Sequence, residues 1–433
     1  MKRPIDLSLP DGLEYGIVKT EDEVDAVIAF NSAIHEPHDG EELRRLLESM
    51  PGFGRELNYY IRDADKGKIV SSLNAIPSVW AYHSVSLKNL ELGFVGTLKE
   101  YRRMGLIRKL YYKYFEKEFH RGGNHISTIQ GIPYFYRQFG YDFLIPGWRS
   151  ILLRPSLIPA IPSEEKPDWM RLTIHPATKE NLNDIAKLYD ELRKRLLIST
   201  IRDRRLWEIQ EKARRIWDRD FTTYIIKKGK ETDGYFRMVS RESKKEPESS
   251  YLDVIESSIR SIGGVRRALE FLRNQSVEKG FHLLAISGAV NSNLSRVGLD
   301  FDGQMSRGWK HQLRIPDVVR FLRRIRPVLE KRIRNTMFAG LTQEVIINTY
   351  RHRYVLDFQG GKITEIKDIG LHEDRKYLDF RAPPNDFVRL LLGQYSQEEL
   401  AHQNIDFIVR GPMKSLIATL FPKQESFIGY YYC

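Results

Sequence analysis

Apolar positions recur along this chain with two periods, near two and near 3.6 residues, and they alternate in blocks. Residues 13–18 alternate like a strand. Thr20-Glu21-Asp22-Glu23 then places an N-cap threonine three residues before a glutamate, a capping box, and Val24, Val27, Ile28 and Phe30 continue with helical spacing. Strands are predicted over 58–62 and 69–76, joined by the turn-rich Asp63-Ala64-Asp65-Lys66-Gly67. A strand over 90–97 follows. Ile107, Leu110, Tyr111, Tyr114 and Phe115 then mark a helix, and 125–130 a further strand.

The same order restarts after the proline-marked stretch Ile158-Pro159-Ala160-Ile161-Pro162-Ser163. Leu172-Thr173-Ile174-His175 and Thr178-Lys179-Glu180-Asn181 give strand, threonine cap and helix again. Gly263-Gly264 precedes another helix, and 283–287 another strand. This predicts a degenerate second copy of the first unit. A third pattern begins near Ile315-Pro316. An amphipathic helix leads to strands over 344–348, 354–358 and 361–368, with Gln359-Gly360-Gly361 as a hairpin signal. Two helices follow, one from Pro384 and one behind the capping box Ser396-Gln397-Glu398-Glu399. The expected division is 1–157, 165–314 and 315–433, in the α+β class.

Composition narrows the possibilities. A chain of 433 residues is too long for one ordinary core, and 41% apolar with 11% aromatic residues can fill several. The only cysteine, Cys433, excludes an intrachain disulfide and a cysteine-based zinc site. No run of eighteen apolar residues and no signal-like N-terminus is present, so a cytoplasmic protein without a membrane span is expected. The formal charge is +12, from 69 basic and 57 acidic residues. Its one cluster, Arg320, Arg323, Arg324, Arg326, Lys331, Arg332 and Arg334, interleaves with Val319, Leu322, Ile325 and Leu329. That pattern reads as a helix with a solvated basic face. No nucleic-acid motif accompanies it, and no nucleic-acid partner is expected. The histidines have no metal-ligand spacing, so no metal is expected.

The chemistry is concentrated in Phe94-Val95-Gly96-Thr97 and Tyr101-Arg102-Arg103-Met104-Gly105-Leu106-Ile107-Arg108-Lys109. Strand, basic turn with one glycine, then helix, is an arrangement that can cradle a diphosphate. The first amides of a helix have no internal acceptor, the helix dipole adds positive charge, and Gly105 lets the backbone approach the anion. This segment resembles the acetyl-CoA motif of the GNAT N-acetyltransferases, with Ile107 where the family usually has glycine or alanine. Bulky residues there resemble the enhanced-intracellular-survival (Eis) type. So does Tyr136-Arg137-Gln138-Phe139-Gly140-Tyr141, about thirty residues on. The third segment resembles the sterol-carrier-protein-like domain that closes such chains.

The resemblance implies tandem GNAT-like mixed-sheet domains and an acetyl-CoA cosubstrate. The acceptor would be an amine on an aminoglycoside-like molecule, a polyamine or a protein lysine, and the assembly a homo-hexamer. It assigns cosubstrate binding to Val95, Gly96, Thr97, Arg102, Arg103, Met104, Gly105, Leu106, Ile107 and Arg108, with the Val95 amide as oxyanion donor. Tyr136 becomes the general acid for the departing sulfur. No Asp or Glu of the first segment stands out as a base. The resemblance gives that role to the terminal carboxylate, here on Cys433, whose intrinsic pKa is about 3.5. His35 and Glu36, after the first helix, are candidates for holding an ammonium. The second copy lacks the Arg-x-x-Gly turn and is not expected to bind CoA. The competing reading is a non-catalytic protein binding acyl-CoA or an apolar ligand on the same fold.

Overall fold

The computed structural model describes residues 5–147, 149–160, 167–243, 245–308, 310–371 and 379–432. Three sheets organise them. The first contains β1 (Leu13–Ile17), β2 (Asn58–Asp63), β3 (Lys68–Tyr82), β4 (Val85–Thr97), β5 (Ile126–Ile129) and β6 (Asp142–Pro146). β1 to β4 are antiparallel neighbours, while β4 and β5 run parallel. Helices α1 (Glu21–Ile34) and α2 (Pro37–Ser49) connect β1 to β2. The Thr20–Glu23 capping box forms as expected. α1 and α2 touch at Gly40, where any side chain would strike Ser32 and the Ile28 carbonyl. This close approach folds α2 back across the sheet.

The second sheet repeats the first with weaker sequence cues. Its long strands are Arg219–Lys228, Glu231–Arg241 and Tyr251–Ile259, the last parallel to Leu283–Ile286. The two units exchange strands. Lys310–Arg314, far along the chain, inserts between β5 and β6 of the first sheet. Ile151–Leu153 inserts between Leu283–Ile286 and Gln304–Met305 of the second. Pairing therefore crosses the division between 1–157 and 165–314 in both directions. A strand has its register partners fixed by hydrogen bonds, not by chain position, so sequence spacing could not reveal the exchange.

The third sheet has five strands, with Gln343–Asn348, Arg353–Gln359 and Lys362–Asp368 as an antiparallel core. Gly360 and Gly361 turn the hairpin with φ of +57° and +80°, a conformation that favours glycine. The basic helix Val318–Ile333 packs its apolar side inward. Its other face is less solvated than the pattern suggested. Arg323 donates to the Ile366 carbonyl at 2.7 Å, Arg324 to the Ser86 carbonyl at 2.7 Å, and Arg332 to the Leu420 carbonyl at 2.6 Å. Arg324, together with Arg332 through the Tyr82 hydroxyl at 3.2 Å, ties the third unit to the first, while Arg323 braces the third unit itself. No helix among the described residues is long and apolar enough to cross a membrane.

The final residues do not fray. Phe427, Ile428 and Tyr430 to Tyr432 are buried, and the Phe427 amide donates to the Ile198 carbonyl at 3.0 Å. The tail then crosses the buried Arg202–Glu256 ion pair at Gly429, where a Cβ would lie 2.6 Å from Glu256 Oε2. Gly429→Ala is therefore expected to cost about 1–3 kcal/mol through overpacking. The checks are a lower Tm and faster digestion by carboxypeptidase; an unchanged Tm would mean that the tail can shift without loss.

Candidate active site

The site begins where two parallel strands part. β4 and β5 pair at Asn89–Ile126, Leu90–Ser127 and Glu91–Thr128, and then separate. On its other edge β4 carries an irregularity opposite Ser72–Asn74, and Phe94 within it has φ +43°. Such a conformation is costly for a side-chain-bearing residue and tends to mark a functional bend. Gly93 and Gly96 flank the bend. A Cβ on either would stand 2.6 Å from an isoleucine methyl, of Ile76 and Ile34 respectively. Two cavities open along the parted strands, of about 800 Å³ and 320 Å³. His35, Val95, Ile132 and Tyr136 line both, so the cavities meet there.

The larger cavity ends at the basic turn. Thr97, Arg102, Arg103, Gly105, Leu106, Ile107 and Arg108 line it with Val95 and Gly96. Arg103 and Gly105 have φ of +69° and +71°, and the space beside the Gly105 α-carbon is open. Among the described residues, the amides from Arg103 to Ile107 donate to no backbone carbonyl. They lead into and open α3 (Leu106–Leu110), which continues through a π-turn over Tyr111–Phe115 into Glu116–Arg121. A row of unpaired amides beside arginines is a fitting seat for a diphosphate. Arg108 is held at 2.7 Å by Gln138, and Arg102 donates to the Thr97 carbonyl at 3.3 Å. Met104, expected here, is instead exposed and outside the lining. The corresponding helix of the second unit, Ile262–Glu278, is closed at its start. Ser261 accepts from the Gly264 amide at 2.9 Å, and the Asp233 carboxylate crowds Gly264.

Tyr136 stands at the junction, on the short turn Phe135–Phe139. Its ring lies so close over Gly131 that no side chain fits there. Burial pushes its phenol above the ordinary range, so the proton stays on at neutral pH. Its neighbours differ. Tyr134 points to solvent, and the Tyr141 hydroxyl is engaged by Ser127 at 2.6 Å.

The smaller cavity corrects one expectation. Glu36 is exposed and does not line it; its amide donates to Asp39 at 2.9 Å, at the start of α2. The acids that do line it are Asp39, Glu42 and Glu91. Glu42 on α2 and Glu91 on β4 are only 3% and 2% exposed. Burial raises both pKa values to about 7. For Glu42, Arg45 partly opposes this; for Glu91, hydrogen bonds from Tyr431 and Tyr432 do. The tail supplies these partners: Tyr431 donates to Glu91, and Tyr430 to Glu42 at 3.3 Å. Gln210 of the second unit holds the tail, donating to the Tyr430 and Tyr432 carbonyls at 3.0 and 2.7 Å. Trp217, on a second-unit hairpin with φ +51°, completes the wall, its carbonyl accepting from Arg45 at 3.3 Å. Cys433 lies outside the described residues.

Residues 18–144 match the model of the acetyltransferase (GNAT) domain. The chain thus carries a GNAT acetyltransferase domain over these residues, which supports an acyltransferase. Solved structures extend the likeness in fold to nearly the whole length. A GCN5-related N-acetyltransferase from Anabaena variabilis superposes with a TM-score of 0.69 at 14% identity, covering 96% of this chain and 99% of the other. A conserved protein from Enterococcus faecalis, described as a probable N-acyltransferase, gives 0.71 at 14%, covering 97% and 100%. Eis1 from Mycobacterium abscessus gives 0.62 at 13%, also covering 97% and 100%. A sequence comparison with curated proteins finds no match.

The two buried acids make a stability prediction. A carboxyl whose folded pKa is raised binds its proton more tightly when folded, so its stabilisation is complete below the unfolded pKa of about 4.3 and disappears as pH rises toward about 7. The double variant Glu42→Gln, Glu91→Gln should melt above the wild type at pH 8, with the gap closing toward pH 5. A constant gap across that window would show that the carboxyls are not shifted.

Proposed function

We propose that the chain transfers acetyl from acetyl-CoA directly to a primary amine of a small cationic molecule, aminoglycoside-like or polyamine, or to a lysine side chain. The observation that carries this reading is the meeting of a phosphate-competent cavity and an acid-lined cavity at Val95 and Tyr136. GNAT domains use acetyl-CoA as cosubstrate, and the unpaired amides of residues 103–107 suit its diphosphate, with Arg102, Arg103 and Arg108 adding charge. The backbone from Val95 to Thr97 is placed to hold the pantetheine arm, as an added strand would be. The Val95 amide faces the reacting carbonyl as oxyanion donor, and Tyr136 protonates the departing sulfur. On the other side, Asp39, Glu42 and Glu91 attract an ammonium, and the Trp217 ring offers a face for its charge.

In this reading 1–157 is the catalytic unit and 165–314 a copy that forms the acceptor wall. Residues 315–433 are a sterol-carrier-protein-like domain that carries the tail. The test is thiol release from acetyl-CoA with spermidine, kanamycin and a lysine peptide. At least one should react, and Tyr136→Phe should lower kcat roughly 100-fold or more while acetyl-CoA affinity stays within about twofold. Acetyl-CoA binding with no release for any amine would favour the non-catalytic reading.

A further inference from the structure

A further cavity, of about 240 Å³, lies at the seam between the first and third units. The end of the Tyr136 turn and β6 form one side, and the exchanged strand Lys310–Arg314 a second. The third unit closes the rest with the loop 349–352 and the helix Pro384–Leu391, which no side chain caps. Two of the charges facing this space are already matched. Asp142 accepts from Arg389 at 2.7 Å and from Arg137 at 3.3 Å, and Arg314 donates to Glu116 at 2.8 Å.

The third unit leaves its own polar groups open. Arg351 and Asn385 line the cavity as exposed side chains, with no hydrogen bond or ion pair among the described residues. Tyr354 is only 7% exposed, and its hydroxyl has no hydrogen-bond partner among them either. Burial, with Asp368 and Asp317 nearby, pushes that phenol up to about 12, so at neutral pH it is a donor. A buried donor without a partner is costly. The loop is also held in an expensive shape. Tyr350, beside Arg351, has φ +63°; its amide donates to Asn348 Oδ1 at 2.9 Å and its hydroxyl to the Asp406 carbonyl at 2.5 Å. On the other side of Arg351, His352 is fixed by Asp368 at 2.6 Å and stacks on Tyr354 at 11°.

Three unpartnered donors around one cavity, one of them a full positive charge, call for an acceptor-rich anion. The remaining walls restrict its body. Leu144, Leu313, Val318 and Phe387 are apolar, and Phe387 stacks on Tyr354 with centroids 6.1 Å apart. Inorganic phosphate would leave these walls uncovered. A carboxylate on a short apolar body covers them and offers the guanidinium two oxygens.

We propose that this cavity binds a small apolar carboxylate, and that its occupant tightens the grip on the cosubstrate. The route between the two sites is short. Gly140 and Arg314 border the cavity and hold the turn Phe135–Phe139: the Gly140 amide donates to the Arg137 carbonyl at 3.0 Å, and Arg314 to the Phe139 carbonyl at 2.8 Å. On the same turn Gln138 accepts from Arg108 at 2.7 Å, and Arg108 lines the cavity assigned to the diphosphate. A ligand that favours this arrangement of the turn favours acetyl-CoA, and acetyl-CoA favours the ligand by the same factor. The carboxylate site stands without the acetyltransferase reading; the coupling rests on it.

Calorimetric titration of the full chain with phenylacetate and isovalerate tests both parts. At least one acid should bind at millimolar concentration or below. Phenylacetamide, the same body without charge, and inorganic phosphate should bind about tenfold more weakly or worse. Arg351→Ala, at an exposed position, should weaken the acid by about tenfold or more, and Tyr354→Phe by a few-fold. Saturating acetyl-CoA should tighten the acid roughly fivefold, and Gln138→Ala should remove that gain while leaving the acid's own affinity unchanged. No binding by either acid, equal affinity in the wild type and Arg351→Ala, or tighter binding of phosphate would overturn the carboxylate site. An acid that binds equally with and without acetyl-CoA would overturn the coupling. If the wild type binds no acetyl-CoA, the acetyltransferase reading itself fails, and the Arg351→Ala comparison still decides the site.

Discussion

The structure depends on the parting of β4 from β5 beyond Glu91. Two parallel strands that remain paired would satisfy each other's amides and leave no room between them. Here Gly93, the left-handed Phe94 and Gly96 turn β4 away while its other edge stays on β3. The separation frees backbone groups on two facing edges. Such edges need a partner, and a pantetheine arm, itself a chain of amides, is chemically matched to one. The same separation creates both cavities and sets Val95 and Tyr136 at their junction. In the proposed reaction, one local irregularity thus decides where the cosubstrate enters, where the acceptor waits and where they meet.

An opening of this kind weakens a sheet, and the rest of the chain compensates from a distance. The exchanged strand Lys310–Arg314 lies on the far side of β5 and binds it to β6. Its Arg314 reaches Glu116 with two contacts of 2.8 Å and the Phe139 carbonyl at 2.8 Å, fixing the turn that carries Tyr136 to the helix behind the basic turn. The tail closes the remaining side, held by Gln210 and by the strand at Ile198. The second unit therefore contributes even though its own helix N-terminus is filled by Ser261 and Asp233. Its products for the site are Trp217, Gln210 and a surface for the tail.

Local features were legible in the sequence. The Thr20 and Ser396 capping boxes, the Gly360-Gly361 hairpin and the basic turn at Gly105 each depend on residues within a few positions of one another. The turn that carries Tyr136 was legible for the same reason, because it and the glycine after it are contiguous. What escaped notice is long-range. Glu91 lies in Leu90-Glu91-Leu92, an acid inside an apolar strand, and that anomaly was the available signal. Its meaning required Tyr431, 340 positions away. The exchanged strands and the docked arginines of Val318–Ile333 escaped similarly, since a charged helix face shows its periodicity in sequence but not what covers it.

Buried acids are expensive to ionise, and a fold normally supplies a cation or leaves the site apolar. This chain does the first at Glu256, within reach of the same tail. The fold can therefore deliver an arginine to a buried acid beside this tail, and at Glu91 it brings tyrosines instead. Supplying one would hold Glu91 ionised and occupied, unable to attract a second cation. Tyrosine donors do less: they steady the carboxylate and leave its charge unmatched. The missing positive charge then has to arrive from the open side of the cavity, and an ammonium is the one group in the proposed reaction that brings it.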